Sequence, residues 1–425
     1  MEITVGMFDN EFYYYYLELL VMGAIVAVAT FAFTEAYHCL APSMVMSWCP
    51  FVLWSVACVA AWCVPNLNLM LGLGENSFEA DAGYCAGLMG FFASLGITSL
   101  IPVSVLDADV STGLESLHEV WPTLTEIVSG ERTYLLGLGR DDFTVFCRIM
   151  LGIVAGVLAS GCPMPALRFS HSFSHMVRPQ YGCSVFRKAL LWLDLLGPII
   201  CATMWVPTLS HTAVEHFFPD VSLSAWRKAR VLVSVSLALL KMALVKPHLQ
   251  TFMEQTTRRI VLKELAKDKV EAKPVQEQFT CRIQYLVIAA AQYVAPVVVI
   301  LMLALLLINK ASSSYDYGMC STLRSAVGKA VEAQDFSNEV GSVPESAAGV
   351  LPMLKALRTM DIIPQQLYEG VLSFLLWWCW TWWSACYVAG VAYWQVYPDE
   401  VSLPDPPKKD RTTKSKKQKV SKKER

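Results

Sequence analysis

The sequence predicts an all-α protein: a multi-pass transmembrane bundle of about eight helices, with the N- and C-termini both cytoplasmic. Of the 425 residues, 55% are hydrophobic and only 16% are charged, whereas about a quarter are charged in a typical soluble domain. Eight apolar runs are each long enough for the hydrocarbon core, which takes about 20 helical residues. The lysine and arginine residues are strongly segregated, and the first hundred residues contain neither.

The apolar runs define the predicted spans. Backbone groups in lipid have no water partners, so each run is expected to be a helix that satisfies its own hydrogen bonds. We expect a transmembrane domain over residues 1–397 and, after it, a basic cytoplasmic tail over residues 398–425 that is too polar to pack and therefore disordered. The eight predicted spans are residues 15–38, 44–64, 84–106, 143–161, 189–209, 229–249, 282–309 and 367–397.

Basic segments set the predicted orientation, because cytoplasmic loops carry an excess of lysine and arginine. The loops after spans four and six and the C-terminal tail are basic, and they alternate correctly for one side of the membrane. The loops of residues 107–142 and 310–366 then face the lumen or the extracellular space. We expect residues 251–272 to extend helix six against the bilayer or a partner. The tail should attract anionic lipid head groups rather than nucleic acid.

Span six carries a polar stripe. Arg230, Ser234, Lys241 and His248 are separated by 4, 7 and 7 residues, which places them within about 40° of one another on a helix. Lipid cannot solvate such a stripe, so it must face other helices or water. It is either a structural seam of ion pairs or one wall of a conduction path, and the sequence leaves both readings open.

Depth in the membrane suggests a partner for the lysine. Asp194 lies roughly 8 Å and Lys241 roughly 12 Å from the cytoplasmic ends of their spans, at 1.5 Å per residue, and a lysine stem can cover that difference. We therefore predict an Asp194–Lys241 pair. Pro198 and Pro296 should kink their helices or free backbone carbonyls for a site. Gln292 is a candidate interhelical hydrogen-bond donor.

A second charged group is predicted near the opposite ends of the spans. Glu35 closes span one, and Arg148 and Arg230 lie near the corresponding ends of spans four and six. Either arginine could neutralise the glutamate. Together with Asp194, Lys241, His248 and Gln292, these residues make up the predicted intramembrane polar network.

One face of span four predicts close helix packing. Gly152, Gly156 and Ser160 recur every four residues, and small residues at that spacing let two helix backbones approach each other.

No motif for a defined reaction is present. The sequence contains no GxSxG, HExxH or Walker pattern. His171 and His175 are one helical turn apart but have no third ligand nearby, and most of the 13 cysteines lie in apolar runs, where cysteine acts as a small apolar residue. We expect no enzymatic activity, no catalytic residue, no cofactor and no metal site.

Several short runs together are similar to one family. In order and spacing, from about residue 12 to residue 397, they resemble the transmembrane protein 161 family. The runs are Thr34-Glu35-Ala36-Tyr37, Pro165-Ala166-Leu167-Arg168, Leu196-Gly197-Pro198, Trp205-Val206-Pro207, His248-Leu249-Gln250, Gln292-Tyr293-Val294-Ala295-Pro296, Gly370-Val371-Leu372-Ser373-Phe374 and Trp377-Trp378.

The resemblance implies a polytopic protein of the plasma membrane or an endomembrane, without enzymatic activity. It implies a role in membrane excitability, in which potassium and calcium currents are restrained, with channel subunits as partners. It also implies an additional N-terminal segment of several tens of residues ahead of the first matched span, which we expect to be missing from this sequence. The residues themselves leave a second function open, an ion or solute transporter or channel with a charged intramembrane pathway. We see no internal repeat, which many transporters have.

Overall fold

A computed structural model describes most of the apolar part of the chain. The predicted tail after residue 397 and most of the loops of residues 107–142 and 310–366 lie outside the described residues. Those described are residues 12–40, 49–72, 77–102, 105–108, 110–117, 140–177, 184–209, 212, 222–265, 272–310 and 365–396.

Nine long helices and short helical stretches over residues 110–117 and 207–209 lie in this part of the chain, and no strand occurs among the described residues. The long helices are α1 (Phe12–Leu40), α2 (Cys49–Gly72), α3 (Ser77–Leu100), α4 (Arg140–Ser160), α5 (Pro163–Val177), α6 (Val185–Thr203), α7 (Leu223–Leu265), α8 (Ala272–Lys310) and α9 (Gln365–Val396).

Helix α8 is the centre of the bundle. Every residue from 287 to 307 is buried, and α1, α2, α7 and α9 all pack against it. This segment is apolar on every side except at Gln292, as a helix enclosed by other helices must be. The burial of α8 therefore follows directly from its sequence.

The outer surface of the bundle is apolar. Phe33 on α1 is 75% exposed, Trp62 on α2 67% and Phe92 on α3 66%. A soluble monomer rarely exposes so many large apolar side chains, whereas a bilayer solvates them. The fold is thus a helical membrane bundle, as the sequence predicts.

By length and composition alone, four helical segments of the described chain are long and apolar enough to cross a membrane. They are Tyr15–Ala36, Asp81–Leu100, Asp142–Val177 and Leu286–Asn309, and the apolar helix Cys49–Cys63 is shorter. The segment Asp142–Val177 is broken at residues 161 and 162, so it comprises the two helices α4 and α5. The number of eight spans stays a prediction.

Helix α5 corrects the sequence analysis, which assigned these residues to a cytoplasmic loop. Residues 163–177 form a helix whose Ala166, Phe169 and Phe173 are buried, and α5 packs mainly against α9. Pro163 is well placed at its first position, where no N–H is needed. The sequence analysis assigned this stretch to a polar loop because it contains Arg168, serines and histidines. Its apolar residues nevertheless recur at helical spacing.

Helix α7 is longer than the span predicted from hydropathy. It runs for 43 residues to Leu265 without interruption, so the predicted extension of helix six is helical over residues 251–265. Helix α8 likewise begins at Ala272, ahead of its apolar part. Hydropathy marks where a helix leaves the membrane, and both of these helices continue past that point.

The small-residue face of α4 packs closely against α3, as predicted. A Cβ built on Gly156 would lie 2.9 Å from the carbonyl oxygen of Gly87, and one built on Gly87 would lie 3.2 Å from the Cβ of Ser160. Gly152 faces Phe91 and Leu95, whose side chains would lie 3.2 Å from its Cβ. The two backbones therefore approach more closely than larger residues allow.

Candidate functional site

The predicted pair of Asp194 and Lys241 is present in the bundle core. The Lys241 Nζ lies 2.8 Å from the Asp194 Oδ1, and the two side chains are 1% and 0% exposed. Asp194 is on α6 and Lys241 on α7, so the pair joins two neighbouring helices. The sequence analysis put the two residues at depths of roughly 8 Å and 12 Å at 1.5 Å per residue, and the lysine stem covers the difference.

Pro198 gives Asp194 a second acceptor. It lies inside α6, four residues after Asp194, and has no N–H to bond the Asp194 carbonyl in the usual helical pattern. That carbonyl instead lies 3.4 Å from the Lys241 Nζ, which donates to it. The sequence analysis named freed carbonyls as one possible outcome of the prolines, and at Pro198 this is what occurs.

Three further side chains complete what we term the Asp194 cluster: Tyr387, His248 and Ser172. The Tyr387 hydroxyl donates to the Asp194 Oδ2 at 3.2 Å. The His248 Nε2 lies 3.9 Å from the same oxygen, too far for a hydrogen bond, and it has no hydrogen-bond partner among the described residues. The His248 Nδ1 is hydrogen-bonded to the Ser172 hydroxyl on α5. The cluster therefore joins α5, α6, α7 and α9.

Aromatic rings enclose the lysine ammonium. The Lys241 Nζ lies 4.9 Å from the centre of the Trp383 ring and 5.4 Å from those of Phe169 and Tyr387. A cation within about 6 Å of a ring face is attracted by the ring quadrupole. Trp383 and Tyr387 are one turn apart on α9, so both side chains lie on the same face of that helix.

A second group, the Asp107 cluster, lies toward the other end of α7. The Asp107 carboxylate is 2.8 Å from the Arg230 guanidinium and 3.3 Å from that of Arg227. The Arg230 guanidinium also lies 4.8 Å from the centre of the Trp205 ring. The Asp107 backbone N–H donates to the Trp205 carbonyl at 2.9 Å, which fixes this segment on the end of α6.

This cluster corrects the predicted partner of Glu35. Arg230 is paired with Asp107, and no ion pair links Glu35 to Arg148 within the described part of the chain; Glu35 instead accepts from the Asn309 amide at 2.9 Å. Arg148 is half-buried on α4. The prediction considered only charges inside the spans, and the true acceptor for Arg230 lies in the loop just beyond span three.

The polar stripe of α7 faces other helices along its whole length. Between the two clusters, the Ser234 hydroxyl accepts from the Trp380 indole at 3.2 Å and lies 3.1 Å from the Cys201 thiol. Arg230, Ser234, Lys241 and His248 are all buried, as is Gln292 on α8. Every polar side chain of the stripe thus contacts a side chain from another part of the fold.

The two arginines of the Asp107 cluster should contribute differently to the free energy of unfolding. Arg230→Gln is expected to lower the free energy of unfolding by about 1.5–2 kcal/mol, since it removes a buried charge-assisted hydrogen bond. Arg227→Gln is the matched control, because Arg227 bonds the same carboxylate but is 44% exposed, and should cost less than about 0.5 kcal/mol. Unfolding titrations in mixed micelles measure both. Equal losses would contradict the assignment.

A bundle of long apolar helices around a buried, charge-paired core defines a polytopic integral membrane protein. The family model described as predicted transmembrane protein 161AB matches residues 4–397, and the chain belongs to that family. No solved structure matches this chain.

Proposed function

We propose that this protein is a non-enzymatic membrane protein that modulates ion currents carried by channel proteins. The observation that carries the proposal is that the charged side chains of the core are buried and paired. A conduction path needs charges that face water, whereas Lys241, Asp194 and Arg230 are at most 3% exposed and lie against opposite charges. The polar stripe of α7 is therefore better explained as a structural seam of ion pairs than as one wall of a conduction path.

The family resemblance indicates that the modulation reduces the ion currents. The family is expected to restrain potassium and calcium currents, so we propose channel subunits as partners within the plasma membrane or an endomembrane. The exposed apolar helices α1 to α4 are available for such contacts. We further propose that eight spans cross the bilayer and that the basic tail holds anionic head groups.

A transporter is the second candidate, and one feature of the Asp194 cluster favours it. Broken helices with free backbone carbonyls coordinate ions in many secondary transporters, and Pro198 leaves such a carbonyl on Asp194. Reconstitution distinguishes the two functions.

Purified protein in liposomes is expected to conduct no potassium or calcium above background. Lys241→Arg, which keeps the charge but changes the shape of the head group, should leave it silent, as should Lys246→Arg at an exposed site of the same helix. In cells that co-express a potassium or calcium channel, the wild-type protein should reduce the current. A flux from the pure protein whose ion preference changes with Lys241→Arg alone would instead establish the transporter.

The proposed topology has its own test. With both termini cytoplasmic, protease added to sealed right-side-out vesicles should spare a C-terminal tag, and detergent should expose it. A tag inserted in the loop of residues 310–366 should be cleaved without detergent. Cleavage of the C-terminal tag in intact vesicles would mean that the number of spans or the orientation is wrong.

A further inference from the structure

We propose that α5, α6 and α9 form a binding site for one small primary ammonium ion, and that α7 fills this site with the side chain of Lys241. The inference goes beyond the proposed function, because it concerns what the core can bind rather than what the protein acts on. It treats Lys241 as an occupant of the site and not as part of its wall.

The groups in direct contact with the ammonium come from α5, α6 and α9, while His248 of α7 lies 3.9 Å from the Asp194 Oδ2. Asp194 on α6 contributes the carboxylate at 2.8 Å and the carbonyl at 3.4 Å. Phe169 on α5 and Trp383 and Tyr387 on α9 contribute the ring faces. Removing the Lys241 side chain therefore leaves the anionic group and the rings in place.

Contacts with neighbouring groups hold the acceptors and the rings of this site in place. Pro198 keeps the Asp194 carbonyl free of the helix, and the Tyr387 hydroxyl fixes the second carboxylate oxygen. Phe169 is held by edge contacts with Tyr293 at 4.4 Å and Trp383 at 5.4 Å between ring centres. Asp194 is fully buried, and a buried carboxylate without a countercharge is strongly unfavourable. An empty site would therefore favour neutralisation of this carboxylate, by a bound cation or by a proton.

The contacts select a primary ammonium. Its N–H groups can donate to the Asp194 Oδ1 and to the Asp194 carbonyl oxygen, and its charge interacts with the rings. A neutral alcohol lacks the charge, and a quaternary ammonium lacks the donors.

Lys241→Ala tests the proposal, because it removes three carbons and the amino group, and n-propylammonium has the same atoms. At about ten times its dissociation constant, this ion should raise the Tm of the purified variant by on the order of 2 °C. n-Propanol should not, and neither ion nor alcohol should act on Lys246→Ala. Lys241→Met, whose apolar chain fills the space, should not respond.

A double variant identifies the ligand group. In Lys241→Ala with Asp194→Asn, the response to n-propylammonium should be lost. If Lys241→Ala cannot be purified alone, the measured quantity is the yield of folded protein from cells grown with the amine, which should rise only where Asp194 is intact. No response, an equal response to n-propanol, or an equal response in the double variant would overturn the proposal. Neither readout involves an ion current, so failure here leaves the proposed function standing.

Discussion

Lys241→Met is expected to lower the free energy of unfolding by roughly 3–5 kcal/mol, since it leaves the Asp194 carboxylate buried without its partner. Asp194 is fully buried, and its remaining contacts are the Tyr387 hydroxyl and the more distant His248. Neither supplies the charge that the ammonium provides at 2.8 Å. Unfolding titrations in mixed micelles, followed by tryptophan fluorescence, measure the loss.

Asp194→Asn should be about as costly, because it leaves the ammonium buried and unpaired. The double variant should recover part of the loss, since two neutral side chains carry no buried charge. Lys246→Met is the matched control: Lys246 lies on the same helix but is exposed, and its loss should be small. Strictly additive losses at 194 and 241 would contradict the pairing.

Fold class was predictable because it depends on composition over long windows. The buried apolar run of α8, with polar exceptions only at Gln292, requires a helix enclosed by others. Helix α5 was not predictable by the same measure. Its position in the bundle depends on the break at residues 161–162 and on packing against α9, and its serines and histidines lower its hydropathy.

Within the candidate site, the pair of Asp194 and Lys241 was predictable because both charges lie inside apolar spans, where helical rise fixes their depth. The partner of Arg230 was not, because Asp107 lies in a loop whose path depends on its bond to the Trp205 carbonyl. Of the three rings around Lys241, Phe169 lies on α5, so missing that helix meant missing this contact as well.

Gly90→Val tests the close packing of α3 on α4, and it should cost roughly 3 kcal/mol, at the upper end of the overpacking range. Even the Cβ of such a residue would overlap the Cβ of Ala159, and the Ala155 carbonyl oxygen would lie 3.6 Å away. A Cβ on a helix cannot rotate away, so the two helices must separate. That separation would also loosen the neighbouring contact of Gly156 with the Gly87 carbonyl.

Gly96→Val is the matched control on the same helix, because no atom lies within 4 Å of a Cβ built there. It should be close to neutral, since valine favours a helix slightly more than glycine does. Both variants are compared with wild type by unfolding titration in mixed micelles, with a folded fraction read from tryptophan fluorescence. If α3 and α4 pack through the small-residue face, only the change at Gly90 destabilises the protein. Similar losses at both positions would mean that the cost comes from valine in the helix, and that the close contact between Gly90 and Ala159 is absent.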